Sequence, residues 1–255
     1  MKYSIVVLVL LSLVSSERLM CETQQTGFVK YDIDLDGEKY TYQVFVPQNW
    51  TADKKWPVIL FLHGAGERGS EGDRQTNVGL GPTIRRDQGS FPAVVVMPQC
   101  RRGIWWNDPK MEQLVAATLE RSIEQFSGDR DHVYLTGLSM GGYGTFYFGA
   151  KNPGKFAALA PICGGIIPPR QLRQSQNSDD QAPYLEAAKR IKGTPAWIFH
   201  GSADSRVPAS ESRKMAAALE EVGSPVKYTE YEGVGHNSWD AAYAEPEFIP
   251  WLLSK

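Results

Sequence analysis

Cysteine and histidine are scarce in this chain, and charge of either sign is not in excess. Three cysteines among 255 residues cannot build a disulfide framework. The four histidines show no i, i+4 pair and no paired-cysteine spacing, so no metal site is expected. A formal net charge of −2 gives no electrostatic case for nucleic acid or an anionic membrane surface. No internal repeat or low-complexity tract is evident. What is present, 42% hydrophobic and 22% charged residues, suits one large domain with a proper core.

The N-terminus differs in character. Lys2 precedes an apolar run over residues 5–14, and Val14-Ser15-Ser16 offers residues suited to a cleavage site. The pattern predicts a signal peptide over 1–16 and a mature domain over 17–255, secreted or periplasmic, with no stable membrane anchor. The alternative is an N-terminal apolar strand. Cys21 follows Arg18-Leu19-Met20, a poor lipobox.

Residues 28–34 and 40–46 alternate with period two around Asp36-Gly37, which predicts an antiparallel hairpin. Short apolar runs at 58–62, 93–97, 132–136, 159–162 and 196–199 read as buried parallel strands, with a weaker one at 227–231. Helical spacing covers 111–126, 143–150, 184–191 and 210–222. Strand and helix alternate, so the expected class is α/β: a mostly parallel sheet with helices on both faces. The polar stretch 168–181 is too short for a large lid.

One stretch carries the chemistry. Gly137-Leu138-Ser139-Met140-Gly141-Gly142 lies between a predicted strand and a predicted helix, the context of a nucleophile elbow. The alternative is a serine that merely caps the helix. In parallel sheets, function gathers at the carboxyl ends of strands, so each partner is tested by its place relative to a strand end. The base must be histidine, which titrates near neutral pH. His132 begins a strand, His63 leads a glycine-rich loop, and His200 precedes the acid candidate. His236, in a glycine-rich loop after the last strand, fits best, the alternative being an exposed loop histidine. Asp204 follows the penultimate strand and completes the order Ser139, Asp204, His236. It could instead cap a helix or pair with Arg206. Asp240 is the rival acid, more suited to bracing a short helix behind the histidine loop. The oxyanion hole would be the N–H groups of Met140 and Ala65.

Gly64, Gly66 and Gly69 also fit G-x-G-x-x-G, a dinucleotide fingerprint. That reading needs an apolar helix to open at once, and residues 70–77 are polar. No NAD site is expected. Trp105, Trp106 and Trp239 lie near the predicted active edge and could stack on a sugar or phenyl ring, or simply pack in the core. Cys100 and Cys163 each follow a strand end, so they could meet or be two separate buried thiols.

With these residues in place, the chain resembles the α/β-hydrolase superfamily. It is most similar to small secreted carboxylesterases related to feruloyl and acetylxylan esterases, polyhydroxybutyrate depolymerases and phospholipase/carboxylesterases, bacterial members of which are often labelled predicted peptidases. The resemblance covers nearly all of the mature chain. It rests on Leu62-His63-Gly64-Ala65-Gly66-Glu67-Arg68-Gly69, Met97-Pro98-Gln99-Cys100, Gly137-Leu138-Ser139-Met140-Gly141-Gly142, Pro161-Ile162-Cys163-Gly164-Gly165 and Gly235-His236-Asn237-Ser238-Trp239-Asp240. It implies ester hydrolysis through an acyl-enzyme without a cofactor, on a small-molecule or polysaccharide ester, and it favours a Cys100–Cys163 pair. Oligomeric state is left open. Two other readings use the same fold: a serine peptidase of prolyl-oligopeptidase type, and a non-catalytic carbohydrate- or polymer-binding protein. The first usually adds a propeller domain; the second has no use for a strained elbow.

Overall fold

The computed structural model describes residues 25–168 and 180–255. The expected signal peptide and most of the polar stretch 168–181 therefore lie outside the described residues. Among those described, eight strands form one sheet in the order β1-β2-β4-β3-β5-β6-β7-β8. They are β1 (Gly27–Leu35), β2 (Glu38–Val46), β3 (Trp56–Leu62), β4 (Val94–Pro98), β5 (Gly128–Leu138), β6 (Ala158–Ile162), β7 (Ala196–Gly201) and β8 (Val226–Tyr231). β1 and β2 pair antiparallel, β2 lies antiparallel to β4, and every later pairing is parallel. The hairpin turns at Asp36 and Gly37, with φ of 53° and 78°. Two successive positive φ values match the right-handed twist of the strands they join.

The strand sequences explain the two cores. In β3, Val58, Leu60 and Leu62 enter one apolar cluster while Ile59 and Phe61 enter the other. β4 divides the same way, with Val94 and Val96 opposite Val95 and Met97. Alternate side chains leave opposite faces, so a strand covered on both sides reads as a continuous apolar run. On the first face pack α2 (Pro109–Gln125), α3 (Met140–Lys151), α4 (Ala182–Ile191) and α5 (Ser210–Glu221). On the second pack α1 (Leu80–Arg86), α6 (Trp239–Ala244) and α7 (Phe248–Leu253). Helices α1 and α7 were not expected from the sequence; both are short, with too few turns to print a periodicity. The loop of Gly64, Gly66 and Gly69 opens only a three-residue 3-10 turn, Ala65–Glu67, not a helix.

The sheet order also corrects the expected Cys100–Cys163 bridge. Both cysteines are buried free thiols. Cys100 follows β4 and Cys163 follows β6, and β3 and β5 lie between those strands. Three strand spacings amount to ~14 Å, whereas a disulfide needs Cα atoms within about 7 Å. The two thiols also belong to opposite faces of the sheet.

The order β4-β3-β5 has a further consequence. From β3 the chain leaves toward β4 on one side, then returns to β5 on the other. The loops after β3 and β5 thus part in opposite directions and open a crevice at the carboxyl edge.

Candidate active site

Ser139 occupies that crevice at the step from β5 into α3. Its backbone is strained, with φ 53° and ψ −116°, a conformation that costs a non-glycine residue on the order of 1–3 kcal/mol. The neighbours hold it there. The Ser139 N–H donates to the carbonyl of Ile162 at 2.9 Å, and its own carbonyl accepts from Tyr143 at 3.1 Å to begin the helix. A Cβ on Gly137 would stand 2.5 Å from the carbonyl oxygen of Gly141, and one on Gly141 only 1.9 Å from that of Leu62. The glycines are there because backbone passes backbone at contact distance.

The Ser139 Oγ lies 2.9 Å from His236 Nε2. His236 Nδ1 lies 2.7 Å from Asp204 Oδ2. A carboxylate only accepts, so Nδ1 carries the proton and Nε2 is free to accept from the serine hydroxyl. Burial alone would raise the Asp204 carboxyl. Hydrogen bonds from His200, His236 and the N–H groups of Val207 and Arg206 outweigh it and hold the group well below the usual carboxylate range. Asp204 is thus an anion locked in one orientation, and its Oδ1 takes both backbone donors, at 2.8 and 3.0 Å.

The loops that carry Asp204 and His236 are bound to each other. The N–H of Ser202 donates to Tyr231, that of Ala203 to Val234, and that of Gly233 to the Ser202 hydroxyl. A Cβ on Gly201 would meet the Val234 carbonyl at 2.3 Å. Trp239 stands edge-on to the His236 ring with centroids 5.4 Å apart, and it packs against the second core cluster. Asp240 accepts from Asn237 at 2.8 Å.

The loop after β3 passes directly over the elbow: a Cβ on Gly64 would lie 2.9 Å from Leu138 Cδ1. Ala65 opens a 3-10 turn and Met140 opens α3, and the first N–H groups of a helical turn have no acceptor within it. His63 fixes this loop. Its Nδ1–H donates to the Gly64 carbonyl at 2.6 Å, and its Nε2 accepts from Cys100 N–H at 3.0 Å. Burial lowers its pKa from 6.5 to about 4, so the ring is neutral. The indole N–H of Trp106 donates to the His63 carbonyl at 3.0 Å. Arg68 bridges the carbonyls of Ala65 and Ile104, and Gln99 donates to that of Glu67.

From Ser139 a cleft of about 1740 Å³ runs outward between α2, α3 and α4. Trp105, Tyr143 and Tyr147 line it, as do Arg190, Arg206 and Val207. Trp105 meets Tyr143 edge to face at 5.8 Å. Of the three tryptophans singled out in the sequence, Trp105 is the one on the cleft wall with surface to offer. Trp106 borders the cleft but is 1% exposed with its N–H engaged, and Trp239 stands behind the imidazole. Sequence reasoning missed Glu211, a buried carboxylate whose Oε2 accepts the N–H groups of Ile166 and Ile167 and whose other oxygen accepts from Tyr184. It holds the cleft-lining loop after β6. Its only sequence signal was a lone acid on the apolar side of a helix.

Cys163 also comes close: its Sγ and ligand atoms of Asp204 and His236 lie within 4.8 Å of one another. The donor set could in principle take a soft cation. Burial pushes the thiol up to about 12, however, and both Asp204 oxygens already accept hydrogen bonds. Those hydrogen bonds occupy the oxygens that a cation would have to take. No helix among the described residues is long and apolar enough to cross a membrane.

Residues 35–250 match the model of a family described as "Putative esterase". The chain is 27% identical to an uncharacterized secreted protein of Arthroderma benhamiae over 92% of its own length, spanning only 27% of that relative. Among solved structures it is similar to a thermostable esterase, with TM-score 0.76 and 31% identity over 89% of this chain and 62% of that one. It is also similar in fold to a ferulic acid esterase, with TM-score 0.71 and 20% identity over 90% of this chain and 98% of that one.

Proposed function

The chain belongs to the Putative esterase family, and from that premise we propose that it is an exported serine hydrolase acting on carboxylic esters. The single observation that carries the reading is the unbroken hydrogen-bonded path from Ser139 Oγ through His236 to Asp204. In this mechanism Ser139 attacks the ester carbonyl as His236 takes its proton. Asp204 holds the imidazole in the required tautomer and stabilises its cationic form. The N–H groups of Met140 and Ala65 receive the oxyanion. His236 returns the proton to the departing alcohol, and water, activated by the same imidazole, releases the acid. No cofactor is needed for any step.

The test is Ser139→Ala assayed on p-nitrophenyl acetate. Turnover should fall on the order of 10⁴- to 10⁶-fold, and labelling by a fluorophosphonate should vanish while circular dichroism is unchanged. Retained turnover would overturn the reading. Matched ester and amide substrates separate an esterase from a peptidase.

The substrate class proposed is an ester of a plant polysaccharide, feruloyl or acetyl. The aromatic wall of Trp105, Tyr143 and Tyr147 supports a ring-bearing group, as does the likeness to the ferulic acid esterase. Methyl ferulate, acetylated xylan and short p-nitrophenyl esters compared at equal enzyme concentration discriminate these. Export through a signal peptide at 1–16, leaving 17–255 as the catalytic domain, is supported by the secreted relative. N-terminal sequencing of the protein recovered from culture medium tests it.

A further inference from the structure

Asp204 has a second histidine. His200 Nε2 lies 3.2 Å from Asp204 Oδ2, the same oxygen that accepts from His236, and both side chains are fully buried. The same Nε2 is 3.0 Å from the carbonyl of Val207, and Nδ1 is 2.7 Å from Ser212 Oγ. Both partners of Nε2 are acceptors, so the proton sits on Nε2 and the Ser212 hydroxyl donates to Nδ1. One path of side chains therefore runs from the cleft into the protein: Ser139, His236, Asp204, His200, Ser212.

We propose that His200 is a positioning residue for the reaction, acting through Asp204. Its Nε2–H fixes the one carboxylate oxygen that faces His236. It also draws off part of the negative charge that would otherwise stabilise protonated His236. The charged and titratable groups around it are few. Asp204 lies in the loop that follows β7, four residues on, and Ser212 faces it from α5. Glu230 sits opposite on β8, His200↔Glu230 in register, and is neutralised by Arg213 of α5 at 2.8 Å. The thiol of Cys163, after β6, lies beside Asp204.

The inference rests on the serine-hydrolase reading above, and two variants test it separately. His200→Gln places an amide N–H where Nε2 stands. His200→Asn keeps a polar atom for Ser212 but is too short to reach Asp204. The expected result for His200→Asn is a kcat lowered roughly 10- to 100-fold with KM little changed. The acid limb of its kcat/KM profile should move to higher pH by about half a unit or more, because His236 then has the whole carboxylate charge. His200→Gln should recover most of kcat and return the limb to its original place. A purely structural histidine would move neither the limb nor its recovery. The inference is overturned if the limb of His200→Asn stays put, or if His200→Gln is as slow as His200→Asn. If instead Ser139→Ala keeps its activity, the parent reading fails and not this one alone. Should His200→Asn not fold, His200→Gln still decides: a displaced limb or a large loss of kcat in that variant refutes the inference.

Discussion

Single residues in this protein carry work that their type does not announce. His63 follows β3 and begins a glycine-rich loop, and nothing in the sequence separates it from a catalytic histidine except its neighbours. In the fold it is a neutral spacer joining the loop after β3 to the loop after β4. That role has a thermodynamic signature. Its folded pKa of about 4 lies below the ordinary 6.5, so between those values the unfolded chain binds the extra proton. Its contribution is fully present above pH 6.5, declines as pH falls, and is lost once pH passes about 4. At pH 5 the parent should have lost about 2 kcal/mol through this group relative to pH 7.5. Urea unfolding at the two pH values checks this, and His63→Gln should show a smaller difference. Ser139, Asp204 and His236 could be grouped as candidates from the sequence because spacing and chain order are local or sequential properties, and the fold brings the three together. His200 could not be linked to Asp204, because a hydrogen bond across a turn leaves no pattern in four residues of text.

Elements were legible where their own residues decide them. The hairpin turn needs two positive φ values, and Asp36-Gly37 announces it. Buried strands print unbroken apolar runs because both faces are covered. Sheet order prints nothing, since β4, β6 and every other parallel strand read alike whichever neighbours they have. That is why Cys100 and Cys163 seemed close in sequence logic yet lie three strands apart. The elbow shows how tightly elements can be apposed. Gly141 of α3 lies against the end of β3, with 1.9 Å between a hypothetical Cβ and the Leu62 carbonyl oxygen. Overpacking costs about 1–3 kcal/mol and occasionally more, and here the obstacle is backbone that cannot rotate aside. Gly141→Ala should therefore lose at least about 3 kcal/mol and most activity. Gly89, with open space around its Cβ position, should accept alanine with a change within about half a kcal/mol. Denaturant melts of the two variants make the comparison.

For the molecule as a whole, the proposed reacting groups hang from unequal parts of the sheet. Ser139 and the Ala65 loop extend from β5 and β3, central strands whose buried side chains feed both cores. Asp204 and His236 extend from β7 and β8, and β8 is an edge strand in which all six residues are at least partly exposed. Edge strands open locally at lower free energy than the centre. Heating should therefore abolish turnover a few degrees before circular dichroism records global unfolding, and brief cooling from that interval should restore it. Coincident loss of both signals would refute this. The bonds that fasten the Asp204 loop to the His236 loop then take on a different significance. Because Ser202, Ala203 and Gly233 tie one to the other, the pair would leave and return as a single hinged leaf, with its internal geometry kept. The protein would have one latch, at the β8 rim, and repairing a failed closure would need only the docking of a preassembled half.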